Sequence, residues 1–370
     1  MLTLTERQTT RSAYTANAWH LRAVRLPDGD RPEDWWIADG QLVDHPVEGA
    51  RDLPGGWVLP GLVDAHAHLT MDFNNTGLRG ATLVDANLQT QMKAGVLAVR
   101  DMGTVPDAMN LNPHPLDKPR VIPASSFFAP ADGFHPGLYR AIEAGHLIEE
   151  ALEAVANGAA WVKVIADFPG PDGNWWRPRV NYSAEVLHAL VEAVHAKGAK
   201  VAVHVTGPFA SECVRAGVDS IEHGPGLTAD DLAEMARRGT VWTPTLAVAT
   251  RYAGMAAGGS GPVAEAAREN LKELRQMIPL AARLGLTILT GTDELPHGAL
   301  AKEVAKLDEY GLPVTAALAA ASTKARSYLG LPGFEAGALA DFVLFSADPR
   351  VKLEALAQPA AVILRGCKIV

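Results

Sequence analysis

Cysteine is scarce. The 370 residues hold two, Cys213 and Cys367, and neither sits in a CxxC pair. No disulfide framework can be read from them, so a reducing compartment, and with it a cytoplasmic location, is the expectation. Basic charge is short as well. Thirty-three Lys and Arg face 42 Asp and Glu, a net charge of −9 with a pI near 5.7. A nucleic-acid partner would want a basic face, and this balance excludes it. Long apolar runs are missing: nothing approaches the roughly 18 consecutive apolar residues of a membrane span. The opening MLTLTERQTTRSAYTANAW is polar and lacks the apolar centre of a signal peptide. No GxGxxG follows the first apolar strand, so nothing recommends a doubly wound nucleotide-binding sheet.

What is present is a large hydrophobic share, 48%, enough for an extensive core. Residues 1–17 read as a frayed tail. From about residue 19 to 53 come short alternating runs separated by Pro27-Asp-Gly29 and Ala38-Asp-Gly40, a small β region with no helix. After Pro60-Gly61 the texture changes. Apolar, β-rich runs at 57–64, 96–101, 120–127, 161–166, 200–205, 220–222, 240–245 and 287–290 alternate with Ala- and Leu-rich helical stretches. The clearest helix is expected over 183–198, with Ser183 as N-cap and Gly198 just past its end. Eight strands separated by helices imply parallel βαβ units and an α/β fold, a (β/α)8 TIM barrel. From about Phe334 short β runs return. We expect 1–57 and 334–370 to pair into a small β-sandwich beside a barrel at 58–333, since neither end could bury a core alone.

Polar residues fall at the ends of these runs, where a barrel collects its chemistry. His66 and His68 end the first. Side chains two apart on a strand share a face, so both can reach one metal ion. Lys163 lies inside the apolar Trp161-Val-Lys-Val-Ile165. His204 ends the fifth run, His223 follows the sixth, and Asp293 ends the eighth. Each alone also fits a cap or a loop hydrogen bond; their coincidence points to a site. A lysine turned into a barrel core loses hydration, which lowers its pKa. The neutral amine then reacts with CO2 to give a carbamate, whose two oxygens suffice to bridge two ions. On the outer face, the same lysine would simply snorkel between helices.

Taken together, these residues resemble the amidohydrolase superfamily in its binuclear, carboxylated-lysine branch, and within it the imidazolonepropionase-like and Xaa-Pro dipeptidase (prolidase) group. The motifs are Leu59-Pro-Gly-Leu-Val-Asp-Ala-His-Ala-His68, Ala98-Val-Arg-Asp-Met-Gly103, Val162-Lys-Val164, Ala193-Val-His-Ala-Lys-Gly198, Ala216-Gly-Val-Asp-Ser-Ile-Glu-His-Gly224, Thr243-Pro-Thr-Leu246, Gly291-Thr-Asp293 and Gly337-Ala-Leu-Ala-Asp-Phe-Val343. The resemblance runs from about residue 55 to the C-terminus. It implies a barrel with a sandwich built from both termini, and two divalent ions, zinc by preference. His66, His68 and Asp293 would hold the first ion, His204 and His223 the second, with carbamylated Lys163 between them. Imidazolonepropionase does not use the lysine position in this way, so Lys163 favours the dipeptidase-like branch. The His-x-x-Glu of purine and pyrimidine deaminases is absent, because His204 is followed by Val-Thr-Gly-Pro.

The resemblance further implies hydrolysis of a small amide, such as a dipeptide, an N-acyl amino acid or a cyclic amide, with Asp293 moving the proton. His135, in the loop after the third run, is the candidate to face the developing oxyanion, and His297 is a weaker one. The loop 167–179 offers Trp175 and Trp176 for apolar contact and Arg177 or Arg179 for a carboxylate, if it covers the mouth. Arg251 and Tyr252 come from the seventh loop. Carbamates, ureas, esters, lactones and phosphotriesters suit the same ligands. A non-catalytic scaffold would have lost some of them, and all six positions are filled. A homo-oligomer is compatible with the sequence. His188 and His195, seven apart on a helix, are expected to serve no metal.

Overall fold

The computed structural model describes residues 18–72, 76–105, 111–115, 117–171, 173–293 and 296–370. The tail expected at 1–17 lies outside them. The N-terminal segment supplies strands β1 (Trp19–Arg25), β2 (Pro32–Ala38), β3 (Gln41–Val43), β4 (Arg51–Asp52) and β5 (Trp57–Pro60). The central segment supplies β6 (Leu62–Ala67), β7 (Val96–Asp101), β8 (Arg120–Pro123), β9 (Phe127–Ala129), β10 (Tyr139–Ala141) and β11 (Trp161–Ile165). It continues with β12 (Asp167–Phe168), β13 (Arg179–Val180), β14 (Lys200–Val205), β15 (Ser220–His223) and β16 (Val241–Thr243). The chain ends with β17 (Phe342–Phe345), β18 (Ala361–Leu364) and β19 (Cys367–Lys368).

Both ends of the chain enter one eight-stranded sheet, ordered β19-β18-β17-β5-β1-β2-β3 with β4 on β1. The ends meet where β5 pairs antiparallel with β17, Leu59 opposite Val343. The period of two explains the two faces. Trp19, Leu21 and Ala23 of β1 join Ile37, Phe342 and Ile363 in a cluster of their own. Val343, Phe345, Val362 and Leu364, on the opposite face, belong to the large central core. Hydrogen bonds join all eight strands into a single continuous sheet.

Apart from the antiparallel pair β12–β13, the central strands are parallel in two groups, β6-β7-β8 and β10-β9-β11-β14-β15-β16. Isolated parallel bridges Ala124↔Trp161 and Trp242↔Ile288 extend them toward each other. The backbone N–H of Ala65 donates to the Thr290 carbonyl at 2.8 Å, and that of Asp293 to the His66 carbonyl at 2.8 Å. The apolar run 57–64 breaks at Gly61, so its first half pairs in the terminal sheet and its second in the parallel one. The run 120–127 divides at Ala124–Ser126, where Ser125 takes up β11: its hydroxyl accepts from Lys163 N–H at 2.9 Å. At 287–290 no ladder forms. Trp242 N–H donates to the Thr287 carbonyl at 3.0 Å, Leu289 N–H to the Trp242 carbonyl at 2.9 Å and Ala65 N–H to the Thr290 carbonyl at 2.8 Å, so this stretch joins both neighbours through isolated bonds. Gly291 permits that approach, since a Cβ there would lie 2.5 Å from the Cβ of His66.

Helices fill the connections. The one expected over 183–198 spans Ala184–His195, its N-terminus capped by Ser183 and its buried stripe made of Leu187, Leu190, Val191 and Val194. Among the described residues no helix is long and apolar enough to cross a membrane.

Candidate active site

His66 is carried by β6, and its Nδ1–H donates to Glu222 Oε2 at 2.7 Å, both groups fully buried. A carboxylate can only accept here, so the proton sits on Nδ1 and the Nε2 lone pair faces the cavity. Nε2 lies 3.8 Å from Asp293 Oδ1. His68 follows the same logic: Nδ1 lies 3.2 Å from the Gly103 carbonyl and Nε2 3.1 Å from Asp293 Oδ1. His223 Nδ1 lies 2.8 Å from Thr245 Oγ1, with Nε2 3.9 Å from Asp293 Oδ2. Three imidazoles thus turn one nitrogen to the protein and the other to one carboxylate. Asp293 divides its oxygens between the His66–His68 pair and His223.

Among the described residues three buried atoms at this cavity have no hydrogen-bond partner, Lys163 Nζ, His204 Nε2 and, further along the wall, Asn270 Nδ2. The rings of His204 and His223 lie 4.6 Å apart. Orphaned buried polar atoms are rare and unfavourable, by about 1–3 kcal/mol each, unless something else binds them. Burial pushes Lys163 down to about 8. Burial also holds His66, His204 and His223 well below the ordinary imidazole range, with the Lys163 charge adding to it. At neutral pH the three rings are therefore uncharged lone-pair donors. Desolvation would raise Asp293, but its interactions with His66, His68 and Lys163 prevail and hold it below the usual carboxylate range. Ligand atoms of His66, His223 and Asp293 lie within 4.8 Å of one another. A nitrogen-rich donor set of this kind, with one carboxylate and the orphaned nitrogens of Lys163 and His204, fits divalent metal.

The backbone is strained at the same place. His223, Thr245 and Asp293 have φ values of 68°, 47° and 44°. Each is a non-glycine residue in the left-handed region, at roughly 1–3 kcal/mol, and such positions gather at functional sites.

Behind the histidines lies a buried polar layer. Arg100 of β7 crosses the interior to donate to Glu222 Oε1 at 2.8 Å, Thr243 Oγ1 at 3.0 Å and the Ala65 carbonyl at 2.6 Å. Asp64 accepts from Thr292 N–H at 3.0 Å, Thr292 Oγ1 at 2.7 Å and Gln91 Nε2 at 2.9 Å, which ties the Asp293 turn to β6. Glu222 and Arg100 were not singled out from the sequence, although a charge inside an apolar strand was the signal that drew attention to Lys163. A Glu222→Gln exchange is expected to weaken metal binding about 10–100-fold by loosening the His66 tautomer. Competition against a chromogenic chelator reads this directly. Wild-type affinity in a variant of wild-type stability would remove Glu222 from the site.

The cavity has a volume of about 730 Å3, and its wall contains all six ligand-type residues together with His135, Trp175, Trp176, Arg251 and Tyr252. Three expected substrate contacts stand elsewhere. Arg177 is exposed outside the wall, and Arg179 is exposed with Nη2 donating to the Asp132 carbonyl at 3.2 Å. The loop carries its tryptophans inward and its arginines outward. His297 is buried beside Gln91, its Nδ1 3.5 Å from Nε2, and burial pushes it down to about 4; it does not line the cavity. His188 and His195 remain on their helix, His195 Nε2 2.7 Å from Asp219.

Comparison with known proteins adds to this picture. The amidohydrolase family model matches residues 57–367. An uncharacterized protein of Mycobacterium tuberculosis is 36% identical over 358 residues, 94% of each chain. A solved Xaa-Pro dipeptidase with bound methionine in its active site is similar in fold, with a TM-score of 0.76 and 22% identity over 96% of this chain and 99% of that one. The ochratoxinase of A. niger has a TM-score of 0.78 and 18% identity, covering 95% of both chains.

Proposed function

The chain belongs to the amidohydrolase family, and from that premise we propose that it is a metal-dependent hydrolase cleaving the carbon–nitrogen bond of a small amide. The observation that carries this reading is the convergence on one cavity of three imidazole Nε2 atoms, the two oxygens of Asp293 and the orphaned Lys163 Nζ and His204 Nε2. We read the two parallel groups as one (β/α)8 barrel closed through 287–293, and the terminal sheet, folded around its own cluster, as the appended sandwich.

His66 and His68 would hold one ion with Asp293, and His204 and His223 a second. Lys163 would lie between them as its carbamate, a bidentate anion in place of a cation. Zinc suits the imidazole-rich set. When bound, such ions polarise a carbonyl and lower the pKa of water to near 7. The residues do the rest. Asp293, ionised and central, takes a proton from the attacking water and delivers it to the leaving nitrogen. His135, kept neutral by burial, donates an N–H toward the developing oxyanion. The balance is R–CO–NH–R′ plus water giving R–COOH and R′–NH2.

The test is a matched panel assayed on the metal-loaded protein: dipeptides, N-acyl amino acids and cyclic amides against esters, lactones, carbamates and phosphotriesters of the same groups. We expect the highest kcat/KM on an amide. Turnover confined to esters, lactones or phosphotriesters overturns the reading.

A further inference from the structure

One wall of the cavity is aromatic. Phe127, Phe134 and Trp175 line it, and Met71, Leu138 and Ile165 fill the gaps between them. Phe127 and Phe134 have ring centroids 5.1 Å apart and planes tilted by 31°. Phe168 stands behind, edge-on to Phe134 at 5.3 Å and to Trp175 at 5.3 Å, so the wall is braced from outside the cavity. The arc begins and ends on candidate metal ligands. Phe127 is 5.0 Å from the His68 ring; Phe134 and Trp175 are 6.0 Å and 6.1 Å from the His204 ring. Gly103 sets its position: a Cβ there would meet the Phe127 ring at 2.7 Å, and the carbonyl of the same glycine receives His68.

This wall carries no charge. Among the described residues lining the cavity the charged side chains are Lys163, Arg251 and Asp293, none of them on the arc. A free dipeptide bears a charged amine and a charged carboxylate, and along the arc no opposite charge would pair with either; apart from the ligands, its polar neighbour His135 lies 5.0 Å from the Phe134 ring and is assigned above to the oxyanion. The volume, about 730 Å3, lies in the range that takes a drug-sized ligand, roughly 300–1,000 Å3. Aromatic rings set at 4.5–7 Å attract a further ring placed edge-on or offset, beyond what area burial gives.

Resting on the hydrolase reading above, we propose that this arc is the specificity site, and that the substrate class is an amide carrying an uncharged planar aromatic group on one side of the scissile bond, packed against Phe127, Phe134 and Trp175. The polar end of such a substrate lies toward Arg251 at the mouth.

The experiment compares N-(2-naphthoyl)glycine, its decahydro analogue of similar bulk, and N-acetylglycine, together with the 2-naphthyl, decahydro-2-naphthyl and methyl amides of glycine. Equilibrium binding of 2-naphthoate and 2-naphthylamine is followed in parallel by fluorescence, in wild type and in Phe134→Ala and Trp175→Ala. Expected is a kcat/KM on one naphthyl amide at least about 10-fold above both of its partners, a ratio that falls roughly tenfold in either variant. If the decahydro or the small amide is cleaved as well as the aromatic one, the aromatic site is overturned while the hydrolase reading stands. If no amide is cleaved, the hydrolase reading fails and binding decides the site. Naphthyl binding weakened at least about 10-fold in both variants supports the site, and binding unchanged by them overturns it.

Discussion

Lys163→Ala is expected to strip metal and turnover together, lowering kcat/KM by at least about 1,000-fold. The argument begins from where the residue stands. Lys163 is in the middle of the apolar β11, 1% exposed, and its amine has no hydrogen-bond partner. As an ammonium it would repel cations in a site whose other donors are imidazoles and the single carboxylate of Asp293. Burial brings it to about 8, so a minority of the amine, far more than for an exposed lysine, is neutral near physiological pH. That form adds CO2: the nitrogen lone pair attacks carbon, a proton leaves, and an ammonium of charge +1 is replaced by a carbamate of charge −1. The change in local charge is two units in a poorly solvated cavity, where Coulomb terms are several-fold larger than in water. Alanine supplies neither oxygen. Formate, acetate or propionate should enter the vacated space and restore part of the activity. The same chemistry sets a pH dependence. The reactive neutral fraction grows as pH rises toward and through about 8, so activation at fixed dissolved CO2 should accelerate over that range. Full turnover and full metal content in Lys163→Ala would end the carbamate proposal.

Asp293→Asn should behave differently. The amide keeps one oxygen facing the histidines, so metal content should remain substantially above that of Lys163→Ala. Turnover should drop by about 100- to 10,000-fold, the span typical for loss of a positioned proton carrier. The reasoning is geometric. Asp293 is the single carboxylate within 4 Å of Nε2 of His66, His68 and His223 among the described residues. Its interactions with His66, His68 and Lys163 outweigh desolvation and hold it below the usual carboxylate range, so it stands as the unprotonated acceptor at neutral pH. Its left-handed backbone holds the side chain at the strand end rather than along it. A fully active Asp293→Asn with normal metal would remove the proton role. Parallel loss of metal and activity would reduce Asp293 to a ligand.

The residues that face the cavity as donors were legible because their chemistry breaks the pattern around them. His-x-His at a strand end, a lysine between valines and an aspartate after a Gly-Thr turn are each conspicuous in apolar runs. The partners behind them were less so. Glu222 and Arg100 are 122 residues apart in sequence, and only the fold shows that one carboxylate serves both Arg100 and His66. Phe127 and Phe134 read as core, since an aromatic ring that lines a cavity and one that fills a core look alike in sequence. The loop arginines announced a partner for an anion, but the path of the loop, not its composition, decided that Trp175 and Trp176 face inward. A continuous apolar run also hides a change of hydrogen-bonding partner. That is why 57–64 and 120–127, each read as one strand, divide, and why 287–290 joins two neighbours through isolated bonds rather than a ladder.

The central claim is a pair of ions held by six named residues with a carbamate between them. It is tested most directly by elemental analysis of metal per chain, on protein prepared without chelators, with and without bicarbonate during loading. Close to two ions per chain with bicarbonate, and clearly fewer without it, is the expected result. One ion per chain, indifferent to bicarbonate, would contradict the account: Lys163 would then be an ordinary amine and the chemistry that of a single metal.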